Sequence, residues 1–220
     1  KTLFGDMLNN WGYGTFDAST ISKVVFENNP YVDDFIDEYG GEVFHDHYRI
    51  YDKDNTDIPL LEQMLKFWQF DEKEYIDSQP EMYWSDEEIS IGDEIISKYV
   101  GGNNFGCLLI SDRFGTQRGV IDSDTLKRET KAINDNLDKS LKYFYFTSSP
   151  LRETPFNWID SVLDMRHIDI RIQLYIKSKA KINVGNQCGV NHMVVRYSDV
   201  YETQRQIPIA HNFVRGETYL

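Results

Sequence analysis

The chain has 220 residues, of which 40% are hydrophobic and 14% aromatic, enough to bury the core of one large domain or two small ones. Its formal net charge of −13 argues against a nucleic-acid partner, because contacts with phosphate dominate that affinity. The sequence has no apolar run of the ~18 residues that a membrane span needs, and no signal peptide is visible.

The charge is unevenly distributed along the chain. Residues 1–97 carry 23 acidic and 6 basic side chains, whereas residues 98–220 carry 13 acidic and 17 basic ones. We therefore predict an acidic lobe over 1–97 and a second lobe over 98–220, whose mildly basic balance suits a compact anion such as a nucleotide diphosphate. An acidic, solvated surface on one half is the alternative. Because the chain starts with Lys1 rather than methionine, we expect that it is truncated at the amino end, and we expect the same beyond Leu220.

The two cysteines, Cys107 and Cys188, lie far apart in different predicted elements. A single disulfide between them is one alternative. Two buried or site-lining thiols in a reducing compartment are favoured over it. We therefore predict a cytoplasmic location.

The first half contains one clear helix and an acidic connection. Residues 59–70 predict the helix, because proline suits a first turn and apolar residues recur at helical spacing, namely Leu60, Leu61, Met64, Leu65 and Trp68. Residues 71–94 are acidic and are predicted to connect the two halves. They lead into a short helix or strand near residues 87–100.

A pair of histidines in the first half raises a second hypothesis. Residues 42–51 alternate as in a strand, which places His45 and His47 on one side. Two histidines on one side suit a metal, as in a non-heme iron oxygenase, with Asp46 between them and a distal histidine elsewhere. Nothing else in the sequence supports such a site, so histidines at a sheet edge or in an acceptor cleft are favoured.

The second half alternates short apolar runs with helical segments. Residues 106–111, 143–147 and 181–184 are predicted strands, while residues 125–141 and 167–179 are predicted helices. Residues 207–210 are a further candidate strand. Strands separated by helices of this length predict a parallel sheet, whose carboxyl ends gather along one edge where ligands bind.

That edge is predicted to collect the polar residues that follow each strand. They are Ser111, Asp112, Arg113 and Thr116 after the first strand, Thr147 and Ser148 after the second, and the glycine turn of residues 185–189 after the third. A helix is predicted to start at this turn and to continue through Val195. Hydroxyl groups, an arginine and a helix N-terminus suit a diphosphate. On this pattern alone, a plain strand-to-helix turn without a ligand is an equal alternative.

The turn carries a resemblance to a known family. The sequence NVGNQCGVNH, residues 183–192, resembles the donor-site motif of the lipopolysaccharide heptosyltransferases, (V/I)-(G/S)-x-D-(T/S)-G-(L/P)-(S/M)-H. Gly189 and His192 match the motif, and Val190 is a close replacement. Gln187 stands where the family has Asp, and Cys188 stands where it has Thr or Ser. The likeness extends over residues 106–195 and more loosely over residues 1–40, where Gly5-Asp6-Met7-Leu8 is similar to the family's GD(V/M)L segment.

The resemblance implies an α/β fold of the GT-B type, with two Rossmann-like lobes of which the amino-terminal one is short or truncated. It implies a metal-independent glycosyltransferase without a cofactor, which moves a sugar from a nucleotide-sugar donor to a glycan or other hydroxyl acceptor. Asp6 would be the general base. The donor-binding residues would be Ser111, Asp112, Arg113, Thr116, Thr147, Ser148, Gln187, Cys188, Gly189 and His192. A degenerate, non-catalytic relative that serves as a binding or assembly subunit is the alternative.

Overall fold

The computed structural model describes residues 26–32, 58–67, 69–71, 73, 79–110, 122–146, 162–164, 168–187, 189–203 and 216–219. The helices are α1 (Leu60–Phe67), α2 (Asp86–Tyr99), α3 (Ser123–Asn136), α4 (Ile170–Lys179) and α5 (Gly189–His192). The strands are β1 (Phe105–Leu109), β2 (Lys142–Phe146), β3 (Val162–Asp164), β4 (Ile182–Asn186), β5 (Asp199–Thr203) and β6 (Glu217–Tyr219).

These six strands form one sheet in the order β3-β2-β1-β4-β5-β6, and every neighbouring pair is parallel. The apolar runs of β1 and β2 explain the arrangement. β1 is buried along its whole length, and β2 is buried at every residue but the first. A parallel strand covered on both faces needs such a continuous apolar run. The prediction of an α/β fold with a parallel sheet is therefore confirmed.

The helices cover both faces of the sheet. Leu108 and Tyr145 lie on the face of the sheet that α3 covers, where they pack around the fully buried Ile133. On the opposite face, Leu109 and Phe146 pack with residues of α2 and α4. Because side chains alternate between the faces with a period of two, one short sheet supports two cores.

Several predicted elements differ in extent from the observed ones. The helix predicted over residues 125–141 ends at Asn136, whose side-chain amide donates to the Ala132 carbonyl at 2.8 Å. The helix predicted from the glycine turn through Val195 is a single turn, because the chain then continues in turns that end at Ser198. Strand β4 runs two residues further than predicted, to Asn186.

For one element the sequence left two alternatives, and three strands were not predicted. The segment near residues 87–100 is the helix α2 rather than a strand, and the helix predicted over residues 59–70 is α1. Strands β3, β5 and β6 were not predicted. The candidate strand at residues 207–210 lies outside the described residues. The predicted lobe boundary at residue 97 falls within α2.

Helix α2 packs against α4 through a buried arginine. Arg171 is only 4% exposed, and its guanidinium donates two hydrogen bonds to the Glu88 carboxylate, one of them at 3.0 Å. It also donates to the main-chain carbonyl of Tyr83 and lies 3.8 Å from the carboxylate of Glu27. One buried cation therefore joins α4, α2 and two segments that precede α2.

The start of α2 yields a stability prediction. The Ser85 hydroxyl accepts the Glu88 N–H at 3.2 Å, while the Glu88 carboxylate accepts the Ser85 N–H at 2.8 Å. Replacing Ser85 by alanine should cost about 1 kcal/mol, because one of the two reciprocal bonds is lost. Urea denaturation would measure the loss. Ser85→Thr, which restores the acceptor, is the matched control, and an equal loss in both variants would contradict the capping role.

Candidate functional site

The sheet changes its direction of winding between its two central strands. β1 pairs with β2 on one side and with β4 on the other, and Leu109 stands opposite Gly185 at the carboxyl end of this pair. In open parallel sheets, the crevice beyond the carboxyl ends at such a point is where ligands bind. The strand order β3-β2-β1-β4-β5-β6 is that of dinucleotide-binding Rossmann domains. The topology therefore places a candidate site at the ends of β1 and β4.

At the inner side of this site, a glycine in β4 packs directly against the main chain of β1. A Cβ atom on Gly185 would lie 2.1 Å from the main-chain oxygen of Leu109 and 3.1 Å from the side-chain nitrogen of Asn191. Real Cβ atoms do not approach a backbone oxygen so closely. β4 could relieve the clash only by moving away from β1, which would break the main-chain hydrogen bonds between the two strands. Only glycine fits at this position, and it lets β4 lie tightly against β1 where the turn begins.

The turn after β4 is anchored on its inner side. Asn186 is fully buried, and its side-chain amide donates to the Glu129 carboxylate of α3 at 2.8 Å. The main chain of Gln187 donates to the Thr203 carbonyl of β5 at 3.4 Å. Residues on two different elements therefore hold the chain just before it turns toward α5.

The outer side of the turn is open. Gly189 is exposed, and no atom of the described residues lies within 4 Å of the position that a Cβ would take there. A main chain without neighbouring side chains allows a ligand to approach it closely. Gln187 and His192 are half-buried on either side of this glycine. The turn thus combines a fixed base with an accessible main chain.

Helix α5 itself carries an unsatisfied side-chain amide. Asn191 is fully buried, and neither its side-chain oxygen nor its nitrogen has a hydrogen-bond partner among the described residues. Leaving a buried polar group unpaired costs about 1–3 kcal/mol. Asn191 directly precedes His192, so this unpaired amide belongs to the same turn as the candidate site.

Three of the predicted donor-binding residues are thus brought together. Gln187, Gly189 and His192 share the turn at the carboxyl end of β4. β1 and β2 end at the same edge, at Leu109 and Phe146, because both run parallel to β4 in the sheet. The other predicted site residues lie outside the described residues; they are Asp6, Ser111, Asp112, Arg113, Thr116, Thr147, Ser148 and Cys188.

Two acidic residues near this edge were missed by sequence reasoning. Glu129 is 3% exposed and Glu202 is fully buried, in register with Gly185. The signal for Glu129 was present, since it lies between Leu126 and Ile133 in the apolar stripe of α3. A carboxylate within such a stripe is seldom buried without a specific partner.

The described cysteine takes no part in the site. Cys107 is a free thiol, fully buried in the face of the sheet that α2 and α4 cover. Burial raises the pKa of the Cys107 thiol to about 12, which keeps it protonated and unreactive at neutral pH. The prediction of a buried thiol holds for this residue, while Cys188 lies outside the described residues.

The described part of the chain offers no group of three or more His, Cys, Asp or Glu side chains placed to hold a metal ion. His45 and His47, on which the iron hypothesis rests, lie outside that part. Among the helices that the structure describes, none has the length and apolar character needed to cross a bilayer.

Comparison with known proteins does not identify a family for this chain. No protein-family model, curated protein or solved structure matches this chain. The fold and site together define an α/β protein with a parallel sheet of Rossmann-like strand order and a glycine turn at its switch point.

Proposed function

We propose that this protein is a metal-independent glycosyltransferase that uses a nucleotide-diphosphate sugar as donor and a hydroxyl group as acceptor. The observation that carries the proposal is the position of the glycine turn, residues 185–189, at the switch point of the sheet. The resemblance of residues 183–192 to a heptosyltransferase donor motif led to the same turn. A second, amino-terminal lobe that presents the acceptor is part of the proposal.

The proposed reaction is a direct transfer. The acceptor oxygen attacks the anomeric carbon of the sugar, the bond between that carbon and the diphosphate oxygen breaks, and the Asp6 carboxylate takes the hydroxyl proton. The charge that develops on the diphosphate is stabilised by Arg113 and by main-chain N–H groups at the turn, where the open Gly189 permits close contact. His192 lines the donor pocket, and Gln187 contacts the donor as a neutral amide.

The test is turnover of nucleotide sugars, followed as release of the nucleoside diphosphate in the presence of hydroxyl acceptors. Asp6→Asn should lower turnover about a hundredfold or more while donor binding persists, because a general base contributes that much. His192→Ala should weaken donor binding. The matched control is Lys181→Ala, at the opposite end of β4 and half-exposed. Turnover that both site variants leave unchanged would contradict the assignment.

Binding without turnover would instead favour the non-catalytic subunit. The features that speak for that alternative are Gln187 and Cys188, which replace an acidic and a hydroxyl residue of the family's motif. In that case, the wild-type protein would bind a nucleotide sugar and release no diphosphate with any acceptor, and Asp6→Asn would change nothing.

A further inference from the structure

The candidate site is held by a bond that crosses from α3 to β4. Glu129 and Asn186 are 57 residues apart in sequence, yet the amide nitrogen of Asn186 lies 2.8 Å from a carboxylate oxygen of Glu129. Both residues are buried, at 3% and 0% exposure. The bond joins the helix that follows β1 to the last residue of β4. It therefore ties α3 to β4 beside the switch point.

Burying a carboxylate is costly unless its oxygens are satisfied, and an apolar residue at position 129 would fit the stripe of α3 better. Ile133, one turn further along the helix, is an example of such an apolar residue, since it is fully buried against the sheet. Core packing alone therefore does not account for a carboxylate at this position. Its partner, Asn186, directly precedes Gln187 and the open turn.

We propose that Glu129 is a positioning residue for the candidate ligand site. Its carboxylate fixes the Asn186 side chain, and this holds the main chain of Gln187 and Gly189 at a set distance from α3. The hydrogen bond from the Gln187 N–H to the Thr203 carbonyl of β5 provides a second anchor, on the neighbouring strand rather than on a helix. The inference rests on the proposed function only in naming the turn as the element that binds a nucleotide.

The first measurement needs no ligand. Hydrogen exchange at the Gln187 amide, followed by NMR in the full chain, reports how firmly the turn is held. Glu129→Met, which keeps the length of the side chain and removes the acceptor, should speed this exchange roughly tenfold. Glu129→Gln retains an acceptor oxygen and should stay within about twofold of the wild type. Amides of β2, two strands away, should be unchanged.

The second measurement is binding of ADP, UDP, GDP and TDP by calorimetry. For the nucleotide that binds the wild type, Glu129→Met should weaken affinity roughly tenfold and Glu129→Gln should restore it. Ile133→Val is the matched control, because it opens a small gap in the same helix face without touching Asn186. If Glu129→Met does not fold, Glu129→Asp replaces it, since the shortened arm breaks the bond with less disturbance.

The proposal is overturned if Gln187 exchange is unchanged in Glu129→Met, if Glu129→Gln is as damaging as Glu129→Met, or if Ile133→Val gives the same loss. Should the wild type bind none of the four diphosphates, the proposed function fails. The exchange comparison still decides the positioning role in that case, so the two failures are distinguishable.

Discussion

Replacing Gly185 by alanine is expected to destabilise the sheet by more than about 3 kcal/mol, the upper part of the range for overpacked sites. The added Cβ would lie 2.1 Å from the main-chain oxygen of Leu109, and no side-chain rotation can relieve a clash with backbone. β1 and β4 would have to separate at the carboxyl end, where they carry the candidate site. Denaturant unfolding followed by circular dichroism would measure the loss.

Gly189→Ala is the matched control for this variant. It makes the same chemical change four residues later, where the described part of the chain places no atom within 4 Å of the new Cβ. Its stability should stay within about 1 kcal/mol of the wild type, since glycine-to-alanine changes at compatible sites are mildly favourable. Equal unfolding midpoints for the two variants would contradict the claim that β4 is packed against the backbone of β1 at Gly185.

Replacing Arg171 by methionine is the second change with a large expected effect, a loss of about 3–5 kcal/mol. The guanidinium is the buried partner of the Glu88 carboxylate, and its loss leaves that carboxylate with the Ser85 N–H but no cation, and takes a donor from the Tyr83 carbonyl. A loss of this size is a large part of the stability of an ordinary domain. Thermal and urea unfolding would both report it.

Two variants separate the buried charge from simple loss of a side chain. Arg196→Met removes another arginine that pairs with a carboxylate, Glu81 at 2.7 Å, but both partners are half-exposed, so it should cost no more than about 1 kcal/mol. The double variant of Arg171→Met with Glu88→Gln removes the orphaned charge and should recover part of the loss. A double variant as unstable as the sum of both single variants would contradict this account.

The same pair predicts a dependence on pH. Partial burial tends to raise the pKa of Glu88, but hydrogen bonds from Arg171 and Ser85 outweigh it and hold the pKa below its ordinary value of 4.5. Because the folded state binds the proton less tightly than the unfolded state, the pair stabilises the fold above that value and loses its effect as the pH falls through the lowered pKa. The stability gap between wild type and Glu88→Gln should therefore shrink in acid.

The sequence was most informative where burial forces a continuous apolar run. β1 and β2, with the sequences FGCLL and KYFYF, were predicted to within a residue or two because both faces of these strands are covered. β5, with the sequence DVYET, was missed because it is mostly polar, and β3 and β6 were missed because three residues carry no period. Their pairing depends on the neighbouring strands rather than on their own composition.

The candidate site could be predicted only in part, for a related reason. A glycine turn between an apolar run and a helix start is a local pattern, so Gln187, Gly189 and His192 could be proposed from sequence. The bond from Glu129 to Asn186 joins residues far apart in the chain, and the clash that makes Gly185 obligatory is with a different strand. Such contacts can be predicted only once the order of the strands in the sheet is known, and no local sequence pattern specifies that order.

A thermal-shift titration of the wild-type protein with ADP-, UDP-, GDP- and TDP-sugars, with the free diphosphates as controls, tests the central claim most directly. A ligand that binds only the native state stabilises it by about 2.7 kcal/mol at a hundred times its dissociation constant, which raises the melting temperature by several degrees. Such a rise is expected with one nucleotide class and with its free diphosphate. No rise with any of the four, at concentrations far above ordinary donor affinities, would contradict the central claim.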